Sequence, residues 1–194
     1  MRIIGGSAAG LLIKVPKGYD VRPTPDLVRQ AIFNSLGPRV IRARVLDLFS
    51  GSGALGLECL SRDAAYVLSV EKSSRHAIVI RQNLAAIHLP AENFELRTQE
   101  ASVAIGQLAS DGREFDLILA DPPFGEKNIG RRSTSLSQQL LDDQRLPAVL
   151  AEEGLFVLGH TKRDILTLPA WWCETKVMKH GDSMMRFLRK SSST

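Results

Sequence analysis

Cysteine is nearly missing. Cys59 and Cys173 are the only two in 194 residues, at no spacing that suits a metal or a redox pair. Both read as small packing residues in a chain expected to be reduced and cytoplasmic. No apolar run approaches the roughly 20 residues that span a bilayer, so no membrane partner is expected. The amino terminus lacks the long apolar stretch of a signal peptide. His76, His88, His160 and His180 are scattered, and none is assigned to catalysis or to a metal. No cysteine follows a proline in a loop suited to a nucleophile, which argues against chemistry through a covalent base adduct. Repeats and low-complexity segments are missing too. What remains is 44% hydrophobic and 24% charged, an ordinary globular balance with length for one sizeable core and a small appendage.

The net charge of +4 is unevenly spread. Residues 1–44 carry eight Lys/Arg against Asp20 and Asp26, a balance of +6, and residues 160–194 carry +4, leaving the middle at −6. A basic arm on an acidic body suits a polyanionic partner, although a solvated surface without a partner has the same signature.

Apolar segments at 2–4 and 11–15 flank Gly5, Gly6 and Gly10, which predicts a small β-hairpin over residues 1–21. Thr24 reads as an N-cap with Pro25 at the first helical position, and Leu27, Val28, Ala31, Ile32 and Leu36 follow with helical spacing until Gly37-Pro38. From residue 44 strand and helix alternate. Strands are expected near 44–49, 66–71, 93–98, 115–120 and 154–160, and helices near 53–61, 73–88, 100–110 and 135–150. That alternation implies a mostly parallel sheet covered on both faces. Residues 172–179 and 184–189 read as a closing hairpin, hence one antiparallel strand. The expected fold class is therefore α/β, Rossmann-like, with a seven-stranded sheet of the kind found in S-adenosylmethionine-dependent methyltransferases. The hairpin is an extension to one main domain, residues 22–194.

Gly51-Ser52-Gly53-Ala54-Leu55-Gly56 fits G-x-G-x-x-G between a strand and a helix, and Glu71 lies 20 residues beyond Gly51 at the end of the next strand. Such glycines let backbone approach a ligand, and such an acid can hold ribose hydroxyls. A dinucleotide and an adenosine cofactor satisfy this pattern equally, and single glycines also serve helix–strand packing. Asp47 tips the balance. An unpaired carboxylate inside an apolar strand is costly to bury. A sulfonium and ammonium, as in S-adenosylmethionine, would relieve it, whereas a pyrophosphate would be repelled. A purely structural Asp47 capping loop amides is the competing reading. Phe49, Ser50 and Lys72 adjoin these positions and join the candidate cofactor set. So do Glu100 and Ala101 after the third strand, where such enzymes hold adenine, although Glu also suits a first helical turn.

The second loop is Asp121-Pro122-Pro123-Phe124. Two prolines end strand pairing and stiffen the chain. Asp121 adds a charged acceptor, and Phe124 a flat apolar face. Acceptors beside a stacking surface suit a planar base with an exocyclic amine. Such an amine is a poor nucleophile because its lone pair is delocalised into the ring. Acceptors on both N–H bonds, the Asp121 side chain and the Pro122 carbonyl, would turn that lone pair toward a sulfonium methyl. A proline turn with an aspartate cap is the plain alternative. The basic stretch from Lys127 to Ser135 follows directly.

The residues Arg2-Ile-Ile-Gly-Gly, Arg22-Pro-Thr-Pro-Asp-Leu-Val-Arg-Gln-Ala-Ile-Phe-Asn34, Leu46-Asp47 through Glu58, and Ala120 through Phe124 together resemble the bacterial 16S rRNA (guanine-N2) methyltransferase family. The resemblance covers nearly the whole chain. It implies S-adenosylmethionine as donor and a guanine amine of 16S rRNA in a partly assembled 30S subunit as target. A monomer without a metal is expected. The resemblance places Asp47, Gly51 and Gly53 against the methionine side of the cofactor, Glu71 at its ribose, and Arg22 and Thr24 in a segment closing over it. Asp121 to Phe124 would hold the guanine. Arg2, Lys14, Lys17, Arg29, Arg131 and Arg132 are the expected RNA contacts. Gln30 stands where the family often has Glu, and Leu11 and Leu12 stand where it is often basic. The competing functions are a DNA adenine-N6 methyltransferase, a nicotinamide-dependent oxidoreductase, and a non-enzymatic rRNA-binding assembly factor.

Overall fold

The computed structural model of the protein describes residues 1–16, 24–124 and 131–191. Its strands are β1 (Arg44–Leu48), β2 (Tyr66–Val70), β3 (Phe94–Arg97), β4 (Phe115–Ala120), β5 (Leu150–Thr161), β6 (Trp172–His180) and β7 (Ser183–Lys190). They form one sheet in the order β3-β2-β1-β4-β5-β7-β6. The pairs from β3 to β5 are parallel, and β7 runs antiparallel to both β5 and β6, so β7 is the single reversed strand. The expected sheet is the observed one.

The helices are α1 (Asp26–Leu36), α2 (Ala54–Ser61), α3 (Ser74–Ala86), α4 (Ala101–Ser110), α5 (Leu136–Asp142) and α6 (Leu146–Val149). Period-two alternation in the strands splits the core into two layers. Leu46, Leu48, Leu68, Val70 and Ile118 pack with α4, α5 and α6 on one face. Val45, Val67, Leu117, Leu119 and Val157 pack with α1 and α2 on the other. Among the described residues, no helix is long and apolar enough to cross a membrane.

Three local expectations change. Residues 136–149 are two helices rather than one. Arg145 donates from its backbone N and its guanidinium to the Asp143 carboxylate (2.7–3.0 Å), turning the chain there, and Pro147 then opens α6. β5 begins at Leu150, four residues early, because Leu150 pairs with Phe115 ahead of a register shift. The amino-terminal hairpin shrinks to one antiparallel bridge, Arg2 with Leu12.

That arm docks sideways instead of forming a ladder. Ile3, Ala8 and Ile13 bury their side chains against Ala54 and Leu57 of α2 and against Ile87. Its amides bond to buried side chains far along the chain. Ile4 N and Gly5 N each donate to the Glu58 carboxylate at 2.8 Å, and Ala8 N donates to Ser61 Oγ at 2.9 Å. Gly6, at φ 78°, lies so close to the Ser61 carbonyl that any Cβ would sit 1.7 Å from its oxygen. Only glycine fits there.

Candidate active site at the carboxyl edge of the sheet

Strand register brings the two loops together. Leu48, the last residue of β1, pairs with Val70 on one side and Ala120 on the other, and Val70 pairs in turn with Arg97. The segments that follow, from Phe49, Glu71, Thr98 and Asp121, therefore leave the same edge. β1 and β4 are neighbours at the point where strand order reverses, the place where open α/β sheets bind ligands.

The first loop is tightly built. Phe49, Gly51 and Gly53 all take positive φ (61°, 56° and 80°), a strained path for Phe49. Glu71 braces it: one oxygen accepts from Gly51 N and the other from Ser73 N, both at 2.8 Å. A carboxylate has about four lone-pair sites, so Glu71 keeps capacity for hydroxyl donors. Gly56 serves packing, since a Cβ there would lie 2.8 Å from Ser69 Oγ and 3.0 Å from Asp47 Oδ2. The Ser50 hydroxyl donates to the Asp47 carbonyl at 2.8 Å, within the turn. Lys72 and Glu100 meet at 3.9 Å, both well exposed, and Ala101 is buried at the start of α4.

Asp47 is 1% exposed. Its Oδ2 accepts from Gly56 N (3.1 Å) and Ser69 Oγ (3.4 Å), while Oδ1 has no partner among the described residues. One oxygen thus does the structural work and the other does not. Burial pushes its carboxyl up to about 7; the nearby Ser50 hydroxyl and the hydrogen bonds from Gly56 and Ser69 oppose the rise, and the charge of Glu71 adds to it. A half-satisfied buried acid fits a ligand that brings positive charge to this loop.

In the second loop Asp121 is half-buried, Pro122 buried, and Pro123 and Phe124 exposed. Thr24 Oγ1 donates to Asp121 Oδ2 at 2.5 Å. Thr24 therefore does not cap α1; Pro25 holds that position without a side-chain bond. Gly159 on β5 lies beside the same carboxylate, where a Cβ would be 2.2 Å from Asp121 Oδ1. Next to it, His160 is buried and structural: Nδ1–H donates to the Thr161 carbonyl at 2.9 Å and Nε2 accepts from Arg186. Burial and the Arg186 charge hold it below the ordinary imidazole range.

The expected RNA contacts divide. Arg2, Lys14, Arg131 and Arg132 are exposed, with Arg132 on Asp142 at 2.7 Å and Lys14 Nζ 3.3 Å from Gln82 Oε1. Arg29 is a correction. It is fully buried on the inner face of α1, donating to the Arg2 carbonyl (2.6 Å) and to Asp26 (2.8 Å), and so faces protein rather than RNA. Asp26 supplies the ion pair for which Gln30 has no charge. Lys17 and Arg22 lie outside the described residues.

Four features escaped the sequence reading: Glu58, Asn83, Gly159 and the true partner of Thr24. Glu58 carried a signal of the kind that exposed Asp47, a lone acid in a helix whose eight residues are all buried. Asn83 carried little. It accepts from Lys14 N (2.7 Å) and donates to the Lys14 and Ser52 carbonyls (both 2.9 Å), tying the arm to the glycine loop.

The strand order, the single reversed strand and the glycine loop facing Asp-Pro-Pro-Phe define a Rossmann-like methyltransferase fold. The "Putative methyltransferase yhhF from Escherichia coli" superposes with a TM-score of 0.82 at 30% identity, covering 100% of this chain and 99% of that one. The chain belongs to the family described as conserved hypothetical protein 95, whose model matches residues 1–189. Ribosomal RNA small subunit methyltransferase D of Escherichia coli K12 is 37% identical over 173 residues, 89% of this chain and 81% of the relative. A hypothetical protein of Thermus thermophilus, TTHA0928, aligns at a TM-score of 0.77 and 28% identity, covering 97% of this chain and 99% of that one.

Proposed function

We propose that this protein methylates the exocyclic N2 amine of a guanine in 16S rRNA, in a partly assembled small subunit, with S-adenosylmethionine as donor. The observation that carries the reading is the shared sheet edge. A buried acid with one unpartnered oxygen and a stiff Asp-Pro-Pro-Phe loop leave neighbouring strands in register. The relatedness to the Escherichia coli small subunit methyltransferase supports ribosomal RNA as the substrate class.

The donor, when bound, supplies an electrophilic methyl group on a sulfonium. The protein's own residues do the rest. Asp47 places negative charge beside the amino-acid part of the donor. Glu71 offers its remaining lone pairs to ribose hydroxyls. Phe124 stacks on the base, and the Asp121 carboxylate and Pro122 carbonyl accept the two amine N–H bonds, aiming the nitrogen lone pair at the methyl. The new N–C bond would replace the donor's C–S bond, whose electron pair would stay with the departing thioether. The methylated nitrogen is then strongly acidic and loses its proton to Asp121 or water. Positioning and preorganised electrostatics supply the rate. The exposed Arg2, Lys14, Arg131 and Arg132 are suited to phosphate contacts, which predicts salt-dependent RNA affinity. A cytoplasmic monomer fits that role.

The test is incubation with labelled S-adenosylmethionine and undermethylated small subunits, followed by nucleoside analysis. N2-methylguanosine is expected. Label in adenine of duplex DNA, or none in ribosomal RNA, would overturn the proposal.

A further inference from the structure

Thr24 has the sequence context of a helix cap and does not cap. Its hydroxyl crosses 97 residues of sequence to the Asp121 carboxylate, at a distance typical of charge-assisted O–H···O bonds. On the other side of that carboxylate β5 presents Gly159, a position without a side chain. Gly159 leaves room in which Oδ1 and Cγ would stand 2.2 and 3.0 Å from a Cβ, and its carbonyl is held by the buried Ser137 hydroxyl at 2.9 Å. The carboxylate is thus lodged between a hydroxyl donor and a bare backbone.

We infer that Thr24 and Gly159 are positioning residues that set the orientation of the Asp121 carboxylate for the target amine. The inference rests on the proposed amine methylation. The physical need is plain: an acceptor that must meet an N–H along one direction loses most of its effect when it swings, and misplacement by about 1 Å can cost about 100-fold. Threonine suits the task better than serine because its branched Cβ restricts χ1. Glycine at 159 is required by space alone, since its backbone is not in the left-handed region. This role for Thr24 differs from closing over the cofactor, and the two separate experimentally.

Thr24→Val keeps the shape and removes the donor; Thr24→Ser keeps the donor; Gly159→Ala adds the Cβ. With small subunits as substrate, Thr24→Val and Gly159→Ala should each lower kcat about 10- to 100-fold, the loss expected for a hydrogen bond to a charged group. S-adenosylhomocysteine affinity by calorimetry should stay within about twofold, and Thr24→Ser should recover most of the rate. The second readout needs no turnover: the 13C shift of the Asp121 carboxyl should move in Thr24→Val and return in Thr24→Ser. An unchanged kcat in Thr24→Val, a cofactor affinity falling in step with kcat, or an unmoved carboxyl shift would each overturn the inference. Wild-type protein that methylates no ribosomal RNA would instead sink the proposed function, and the carboxyl shift would still decide whether Thr24 holds Asp121.

Discussion

Asp47 and Asp121 stand at the ends of adjacent strands, and the protein treats them differently. Asp47 is sealed: 1% exposed, bonded through one oxygen by Gly56 of α2 and Ser69 of β2, with a carboxyl raised to about 7. Asp121 is half-buried and held by a residue from a distant segment. The contrast teaches what each loop is for. A sealed, under-satisfied acid is stabilised when a cation arrives, which makes it a binding element. An acid oriented by a neutral hydroxyl and left near the surface can meet a partner that comes and goes.

The comparison breaks most visibly at Asp121. Asp121→Ala should lower methyl transfer about 100- to 1,000-fold, the range for losing one preorganised electrostatic partner, with S-adenosylhomocysteine affinity unchanged by calorimetry. Should affinity fall in parallel, the division of labour is wrong. Asp47→Asn should do the reverse, weakening that affinity about 100-fold or more, because one partner of a buried ion pair is removed.

The raised carboxyl of Asp47 also fixes a sign. Its folded-state value lies above the ordinary 3.8, so the folded protein holds an extra proton between those values. Its contribution to stability is therefore greatest on the acid side and declines as pH rises toward 7. Ligand-free Asp47→Asn should melt higher than wild type at pH 8, with the gap narrowing steadily as pH falls below 7 and closing only near 3.8, by differential scanning calorimetry. Wild-type cofactor affinity should fall about tenfold per unit below pH 7, where the anion must first be formed.

Phe124→Ala should raise KM for small subunits about tenfold, within the roughly 1–3 kcal/mol typical of base stacking, and leave cofactor binding alone. The smallest effect tests whether burial alone distinguishes Asp47. Glu58 is equally buried but accepts from Ile4 N, Gly5 N and Arg62. Glu58→Gln should therefore lower the melting temperature, by about 1–3 kcal/mol of stability, where Asp47→Asn raises it. Matching signs in the two variants would refute the distinction.

Much of this architecture could be read before any coordinates. Apolar runs such as Val45–Leu48 and Leu117–Ala120, each ending in glycine or proline, mark buried parallel strands, and Trp172–His180 with Ser183–Lys190 marks the reversed one. Asp47 was legible because a lone acid in an apolar strand is costly. What stayed hidden depends on partners far away in sequence. Nothing near Thr24 reveals a bond to residue 121, and nothing near Gly159 reveals a carboxylate against its Cα. Arg29 misled because an arginine in a basic arm looks like a phosphate contact; its burial follows from α1 turning that face to the core beside Ile32 and Phe33. The break between α5 and α6 depends on Asp143 side-chain bonding that periodicity does not register.

The docking of residues 1–16 has a consequence for how the molecule is made. The arm leaves the ribosome before the groups that hold it: its amides bond to Glu58, Ser61 and Asn83, which are synthesised 53 to 69 residues later. Until then Ile3, Ala8 and Ile13 have nothing to cover them. A segment made before its partners thus settles only after they emerge, and the glycine loop gains its Asn83 tether to the arm only when that wait ends.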